Sequence, residues 1–370
     1  MAIFQSEEWP GFRSRRSSIE TALSNAKKAW LQLIPKLKLL ENDHREQLHL
    51  VSIANSVHSL QALHGIEMSE SSVLNILYRL QSVKHPHEED LEFNAIPIST
   101  VFKDASFTYQ SELTREKLFS WHAGLFPAGY SSMQKINVAQ WRTENLCEKP
   151  YSLSAKSRES LAEWEIPSAF NVKYEMERFL GWLNKDTKIN MFLKAATAHL
   201  WFLILSPFSA GNSVLAHAIT NHQLMGSSGG NAWAIPLQEA ILEDSDNYFS
   251  VLSETMKGDM DISPWLEWFF NTITKAITRG NHVIDNAIAT HKELDNLDTS
   301  LLSDRQKKVI DFMASSGLTE IANSEYAEIA GCSSDTALRD LKHLIELKFF
   351  STGNAGGRST TYRISTFTPK

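Results

Sequence analysis

A run of apolar residues from Ile189 to Leu205, ending at Ser206-Pro207, constrains this chain more than any other feature. A membrane span needs about 20 predominantly apolar residues, and Lys194 and His199 interrupt this shorter run, so it predicts a buried central helix instead. Apolar positions at helical spacing predict further helices at Ser17–Leu40, His49–Leu63, Ser71–Gln81, Thr114–Leu125, Lys173–Leu183, Ser213–Met225, Ala240–Thr278 and Ile284–Leu294. The expected fold class is therefore mainly α. One stretch departs from it: Tyr151–Pro167 lacks the helical period and reads as an irregular hairpin between helices.

The chain is 370 residues long, which suits two or three domains. The expected division is an N-terminal helical segment over 1–45, a helical domain over 46–294 and a last domain over 295–370, entered through the polar stretch Asp295–Ser303. The last domain reads differently. A helix from Asp304 to Ala314 turns Val309, Ile310, Phe312 and Met313 inward. Ser324–Ala330 then ends at Gly331, and Ser334–Leu347 begins with a serine suited to capping, which is helix-turn-helix spacing. Phe349–Thr352 and Thr361–Ile364 flank a glycine-rich turn, Gly353-Asn354-Ala355-Gly356-Gly357, and predict a two-stranded wing. Together these make a small winged helix-turn-helix domain.

Thirty-six basic residues against 43 acidic ones leave a net charge of −7, so any contact with DNA has to be local. The two cysteines, Cys147 and Cys332, stand far apart without a second ligand pair, which argues against a disulfide framework or a zinc site and fits a reducing cytoplasm. The first nine residues lack the basic and apolar segments of a secretory signal, and no membrane association is expected.

The central helix runs into Ser206-Pro207-Phe208-Ser209-Ala210-Gly211-Asn212-Ser213-Val214-Leu215-Ala216-His217. This resembles the loop of Fic family proteins, His-Pro-Phe-x-Asp/Glu-Gly-Asn-Gly-Arg-x-x-Arg. Further matches keep the family order: Trp121-His122-Ala123-Gly124-Leu125-Phe126-Pro127 with Gly129-Tyr130, then Trp141-Arg142-Thr143, then Pro167. Arg305-Gln306-Lys307, Thr336-Ala337, Arg339-Asp340-Leu341, Gly357-Arg358-Ser359-Thr360 and Tyr362-Arg363 look like the winged helix that ends one subgroup of that family. Trp9-Pro10 and Phe12 look like its N-terminal segment. The resemblance implies a Fic helical domain with a small hairpin flap, and a homodimer.

The resemblance also implies a chemistry, transfer of AMP from ATP to a protein hydroxyl, and this chain departs from it position by position. The histidine that accepts the hydroxyl proton is replaced by Ser206, which has no accessible pKa near neutrality. The acidic residue that holds magnesium is Ala210. The second glycine is Ser213, and the two phosphate-binding arginines are Val214 and His217. Pro207, Phe208, Gly211 and Asn212 remain, and they shape the turn into the next helix. Removing a base or an oxyanion donor typically costs two to four decades in rate, so their joint loss predicts near-background activity and no required cofactor.

Many relatives also carry an inhibitory helix, Ser/Thr-x-x-x-Glu-Gly/Asn, and the matching stretch Leu60-Gln61-Ala62-Leu63-His64-Gly65 puts His64 at the glutamate position. With the arginine gone the glutamate has no partner, so the joint loss is coherent. His64 then falls opposite His217, either as a hydrogen-bonded polar pair or as a pH-sensitive or metal-binding one. Arg158-Glu159 resembles part of the flap, through which a target protein docks as an added strand. Its glycines are missing, and a plain surface hairpin is the alternative.

In the last domain Ser334, Asp335, Thr336, Arg339, Lys342 and His343 lie on or near the exposed side of the expected recognition helix, with Arg358 in the wing, where they would meet phosphates or base edges. Eight basic and eight acidic residues between Ser303 and Ser365 give no basic surplus, and Asp335 and Asp340 would repel DNA if they faced it. A packing or dimerisation module is the alternative. Two functions follow: a non-catalytic binding or regulatory protein, or a weak or altered nucleotidyl or phosphoryl transferase using ATP with magnesium and a base from elsewhere, with His199 and His217 nearest.

Overall fold

The computed structural model describes residues 2–66, 73, 74, 76, 77, 95–131, 133–149, 161, 164–185, 188–294, 299–316, 320–353 and 360–364. In chain order its helices are α1 (Arg16–Leu37), α2 (Asn42–Leu63), α3 (Ala95–Phe107), α4 (Arg115–Leu125), α5 (Ala169–Asn184), α6 (Met191–Leu205), α7 (Asn212–Ser227), α8 (Leu237–Glu243), α9 (Ser245–Met256), α10 (Ser263–Leu294), α11 (Asp304–Ser316), α12 (Asn323–Ala330) and α13 (Ser334–Glu346). The strands are β1 (Tyr130–Ser131), β2 (Gln134–Lys135), β3 (Glu320–Ala322), β4 (Phe350–Thr352) and β5 (Thr361–Ile364).

The apolar run forms α6, the helix around which the others gather. Asn190 caps its start, its Oδ1 accepting from the Phe192 and Leu193 amides at 3.0 and 3.4 Å. A helix that is apolar all round has no face for water, and every residue from Ala195 to Leu205 is buried. α5, α7 and α10 pack against it, and the Trp265 indole of α10 donates to the Ala196 carbonyl at 2.9 Å. α1 lies along α10, burying Ile19, Ala22, Ala26, Leu33 and Leu37 from one stripe. Among the described residues no helix is long and apolar enough to cross a membrane.

α10 is one helix where the sequence suggests a break between Thr278 and Ile284. Gly280 explains this: a Cβ there would stand 2.0 Å from the Ala234 carbonyl oxygen, so the glycine permits a close approach rather than ending the helix. In the other direction, Ala240–Thr278 divides into α8, α9 and the start of α10. α3 has no counterpart among the expected helices, and α2 begins at Asn42 and runs through residue 45. Val73, Leu74, Ile76 and Leu77 are helical and buried, as expected.

In the C-terminal stretch, Val309, Ile310, Phe312 and Met313 of α11 are buried. A helix, a strand, two helices and two strands follow one another, and the antiparallel sheet has the order β3-β5-β4. Gly331, with φ +63°, turns the chain between α12 and α13. Ser333, rather than Ser334, caps α13, its Oγ accepting from the Thr336 amide. α11 also packs on α2 and α10. Residues 354–359, with Arg358, lie outside the described residues, as do Arg158 and Glu159 of the expected flap.

Candidate functional site

The turn between α6 and α7 is built mostly from backbone groups. Ser206 ends α6 in the left-handed region, with φ +38° and ψ +62°, and its Oγ donates to the Leu203 carbonyl at 2.6 Å. Phe208 is fully buried, stacked on the His122 ring at 4.2 Å and flanked by Trp141 and Phe119. Asn212 clasps the same residue from the other side: its Oδ1 accepts from the Phe208 amide at 3.0 Å, and its Nδ2 donates to the Phe208 carbonyl at 2.7 Å. Gly211 has φ +75°, and a Cβ there would come within 2.8 Å of the Phe126 ring. The residues that remain from the loop pattern are thus those that hold its shape.

One further side chain holds the turn, and no local pattern identifies its part. The Arg142 guanidinium, 2% exposed, donates from Nε to the Ser206 carbonyl at 2.8 Å, from Nη2 to the Pro167 and Leu205 carbonyls at 2.5 and 3.4 Å, and from Nη1 to the Glu144 carbonyl at 3.0 Å. Its own amide donates to the Pro207 carbonyl at 2.8 Å. Burial pulls its pKa down from the usual value, and these hydrogen bonds set it against carbonyl dipoles. Its signal in the sequence is only its place in Trp141-Arg142-Thr143, because its partners lie up to 64 residues away.

The positions that would carry chemistry are small or apolar. Ala210 is 1% exposed, and Ser206 is 2% exposed with its hydroxyl already directed to the Leu203 carbonyl. Beside the turn lies a cavity of 440 Å³ whose wall includes Gln61, His64, Leu203, Ser206, Gly211 and Val214. His64 therefore reaches the site from the end of α2. A second cavity, of 660 Å³, opens on the other side between β1–β2 and the stretch Arg142–Glu148, with Ser209 and Ala210 in its wall. Cys147 lines it, and burial pushes its thiol pKa up, so the thiol is held in its unreactive protonated form.

Behind the turn, three histidines meet. His199 is fully buried, its ring nitrogens 2.9 Å from Thr220 Oγ1 and 3.0 Å from Tyr248 Oη, and it stacks on Trp265. The His217 ring stands 4.8 Å from it, and neither nitrogen of His217 has a hydrogen-bond partner. His64 acts electrostatically on His217, as the matched positions suggest, but its Nε2 is also buried without a partner, so the expected polar pair is not hydrogen-bonded. Burial lowers the pKa of His64 to about 4 and of His199 to about 3. Burial first, then His199 and His64, hold His217 well below the ordinary 6.5. Neither His199 nor His217 lines either cavity. Among the described residues no group of three or more His, Cys, Asp or Glu is arranged to hold a metal ion.

In α13, Ser334, Asp335, Arg339, Lys342 and His343 are exposed and Thr336 is half-buried. Asp340 turns inward, where its carboxylate accepts from Arg305 at 2.6 and 3.0 Å and from Tyr326 Oη at 3.2 Å.

Residues 112–224 match the family model for the Fic/DOC family. The chain is similar to a Fic family protein from Desulfovibrio desulfuricans G20, with a TM-score of 0.57 and 13% identity over 97% of this chain and 99% of that one. It is also similar to a Fic domain containing signaling protein from Bacteroides thetaiotaomicron VPI-5482, with a TM-score of 0.51 and 14% identity over 71% of this chain and 97% of that one. Fic-1 from C. elegans gives a TM-score of 0.50 and 15% identity over 72% of this chain and 73% of that one. No curated protein matches the chain. At these identities the solved structures establish a shared fold, and with the family match they show that residues 112–224 form a Fic/DOC family domain.

Proposed function

We propose that this chain is a non-catalytic member of the Fic/DOC family, acting as a binding or regulatory protein. The observation that carries this reading is the state of the turn. Ser206 stands where the resemblance places a proton acceptor, with its hydroxyl directed to the Leu203 carbonyl, and buried Ala210 stands where it places the metal ligand. The replacement bases nearest in sequence do not fill the gap, since both His199 nitrogens are engaged and His217 lines neither cavity. General base catalysis requires a group within hydrogen-bond reach of the attacking hydroxyl. Incubating the protein with labelled ATP, magnesium and a cell extract should leave every protein unlabelled. Transfer of label by the native chain would overturn the reading.

A second reading, DNA binding through the C-terminal unit as a winged helix, is favoured by the inward turn of Asp340. With Asp340 held by Arg305 and Tyr326, the exposed side of α13 offers Arg339, Lys342 and His343, and Asp335 is one of the two carboxylates left among its exposed residues, with Glu346 at the far end. A mobility shift on mixed genomic fragments at low salt should appear and should be lost in Arg339→Glu. No shift at any salt concentration removes this reading.

A further inference from the structure

We infer that Asp335 is the base-selecting residue of the C-terminal unit, taking the N4 amine of a cytosine in the major groove, an inference that rests on the DNA-binding reading of α13. The helix is fixed on its own unit. On its inner side Asp340 is held by Arg305 and Tyr326, Gln306 of α11 donates to the Asp340 carbonyl at 3.2 Å, and His343 Nδ1 lies 3.0 Å from Gln306 Nε2. At its start Ser333 Oγ lies 2.9 Å from Thr336 Oγ1, and Asn323 Nδ2 donates to Ser334 Oγ at 2.7 Å. The hydroxyls around the first turn are thus engaged within the unit. Asp335 stands among them exposed, and its carboxylate has no partner among the described residues.

Asp335, Arg339 and Lys342 recur at i, i+4 and i+7, so three exposed charges share one stripe of α13. They do not neutralise one another. Arg339 donates from Nε to the Asp335 carbonyl at 3.4 Å rather than pairing with its carboxylate, and Lys342 has no ion pair among the described residues.

The order of these charges decides what each can face. In a helix-turn-helix the second helix enters the major groove with its N-terminal residues against base edges. Phosphates repel a carboxylate there, as do the acceptors of guanine, N7 and O6, and of thymine, O4. Adenine sets an amine beside its N7 acceptor, whereas cytosine offers the N4 amine alone, so an unpaired carboxylate at the entering end selects cytosine. Arg339 lies about 6 Å further along the helix and suits a guanine within about two base pairs. Lys342, about 10 Å along, suits a phosphate. Glu346 ends the stripe on the side that leaves the groove.

Selection by the full chain from a library of randomised duplexes, followed by mobility shifts on the selected site, tests this. The selected site should contain a cytosine whose replacement by any other base weakens binding about tenfold. Asp335→Ala should lose that preference and bind mixed fragments more tightly, because a repulsion has been removed. Arg339→Ala should lose a preference for guanine, and Lys342→Ala should weaken binding to every sequence alike and lower the salt slope by about one. A helix-supporting role alone would leave the base preference of Asp335→Ala unchanged, and that result overturns the inference. Binding by the native chain without base preference overturns it too, while leaving the DNA-binding reading in place. No shift at any salt concentration removes both.

Discussion

The turn from Ser206 to Asn212 and the histidine layer behind it are neighbours built on opposite rules. In the turn, Arg142 satisfies carbonyls up to 64 residues away and Asn212 satisfies the amide and carbonyl of nearby Phe208, and the result is a fixed shape. In the layer, His217 keeps two ring nitrogens and His64 one that no neighbour satisfies, all out of reach of bulk water. The difference teaches that shape and reactivity are separable in this fold. Phe208, Gly211 and Asn212, which keep the loop pattern, also hold the packing of the turn.

Breaking the turn should have the largest effect. Arg142→Met leaves four carbonyls without their buried donor and should lower stability by about 4 kcal/mol in denaturant unfolding, since each orphaned buried group costs about 1–3 kcal/mol with partial relaxation. Asn212→Ala removes both bonds to Phe208 and should cost about 2 kcal/mol by the same measurement. If either variant is as stable as the native chain, the turn is not the clasp described here.

The histidine layer should show itself in acid. The folded pKa values of His64 and His199, about 4 and about 3, lie below the ordinary value, so the unfolded chain takes up these protons first. Their contribution is fully present above about pH 6.5 and declines as pH falls toward 4 and then 3, with a slope of about 1.4 kcal/mol per pH unit for each group. His217→Leu should sharpen the contrast by raising stability at pH 7 by about 1 kcal/mol and by flattening the acid limb, because an apolar side chain of similar size leaves no unsatisfied nitrogen. An unchanged acid limb in that variant would show that His217 is not part of the layer's titration.

The sequence reveals these two regions unequally. The apolar run to Leu205 makes α6 plain, and the substitutions at Ser206, Ala210, Val214 and His217 are read directly once the loop is matched to a family pattern. The hold of Arg142 on the turn is not legible, because its partners are backbone carbonyls that any sequence supplies. α3 escapes notice with Pro97 in its first turn and a mixed pattern after it. β3 is only three residues long, too short for an alternation to register. Arg279-Gly280-Asn281 reads as a breaker, and only the Ala234 carbonyl shows why a glycine belongs inside that helix.

That unbroken helix has a mechanical consequence. At 32 residues α10 is a rod of about 48 Å, fastened to α6 through Trp265 and in contact with α11 of the C-terminal unit. α10 thus joins α11 to the helix that ends at Ser206 by one unbroken element, alongside the contact of α11 with α2.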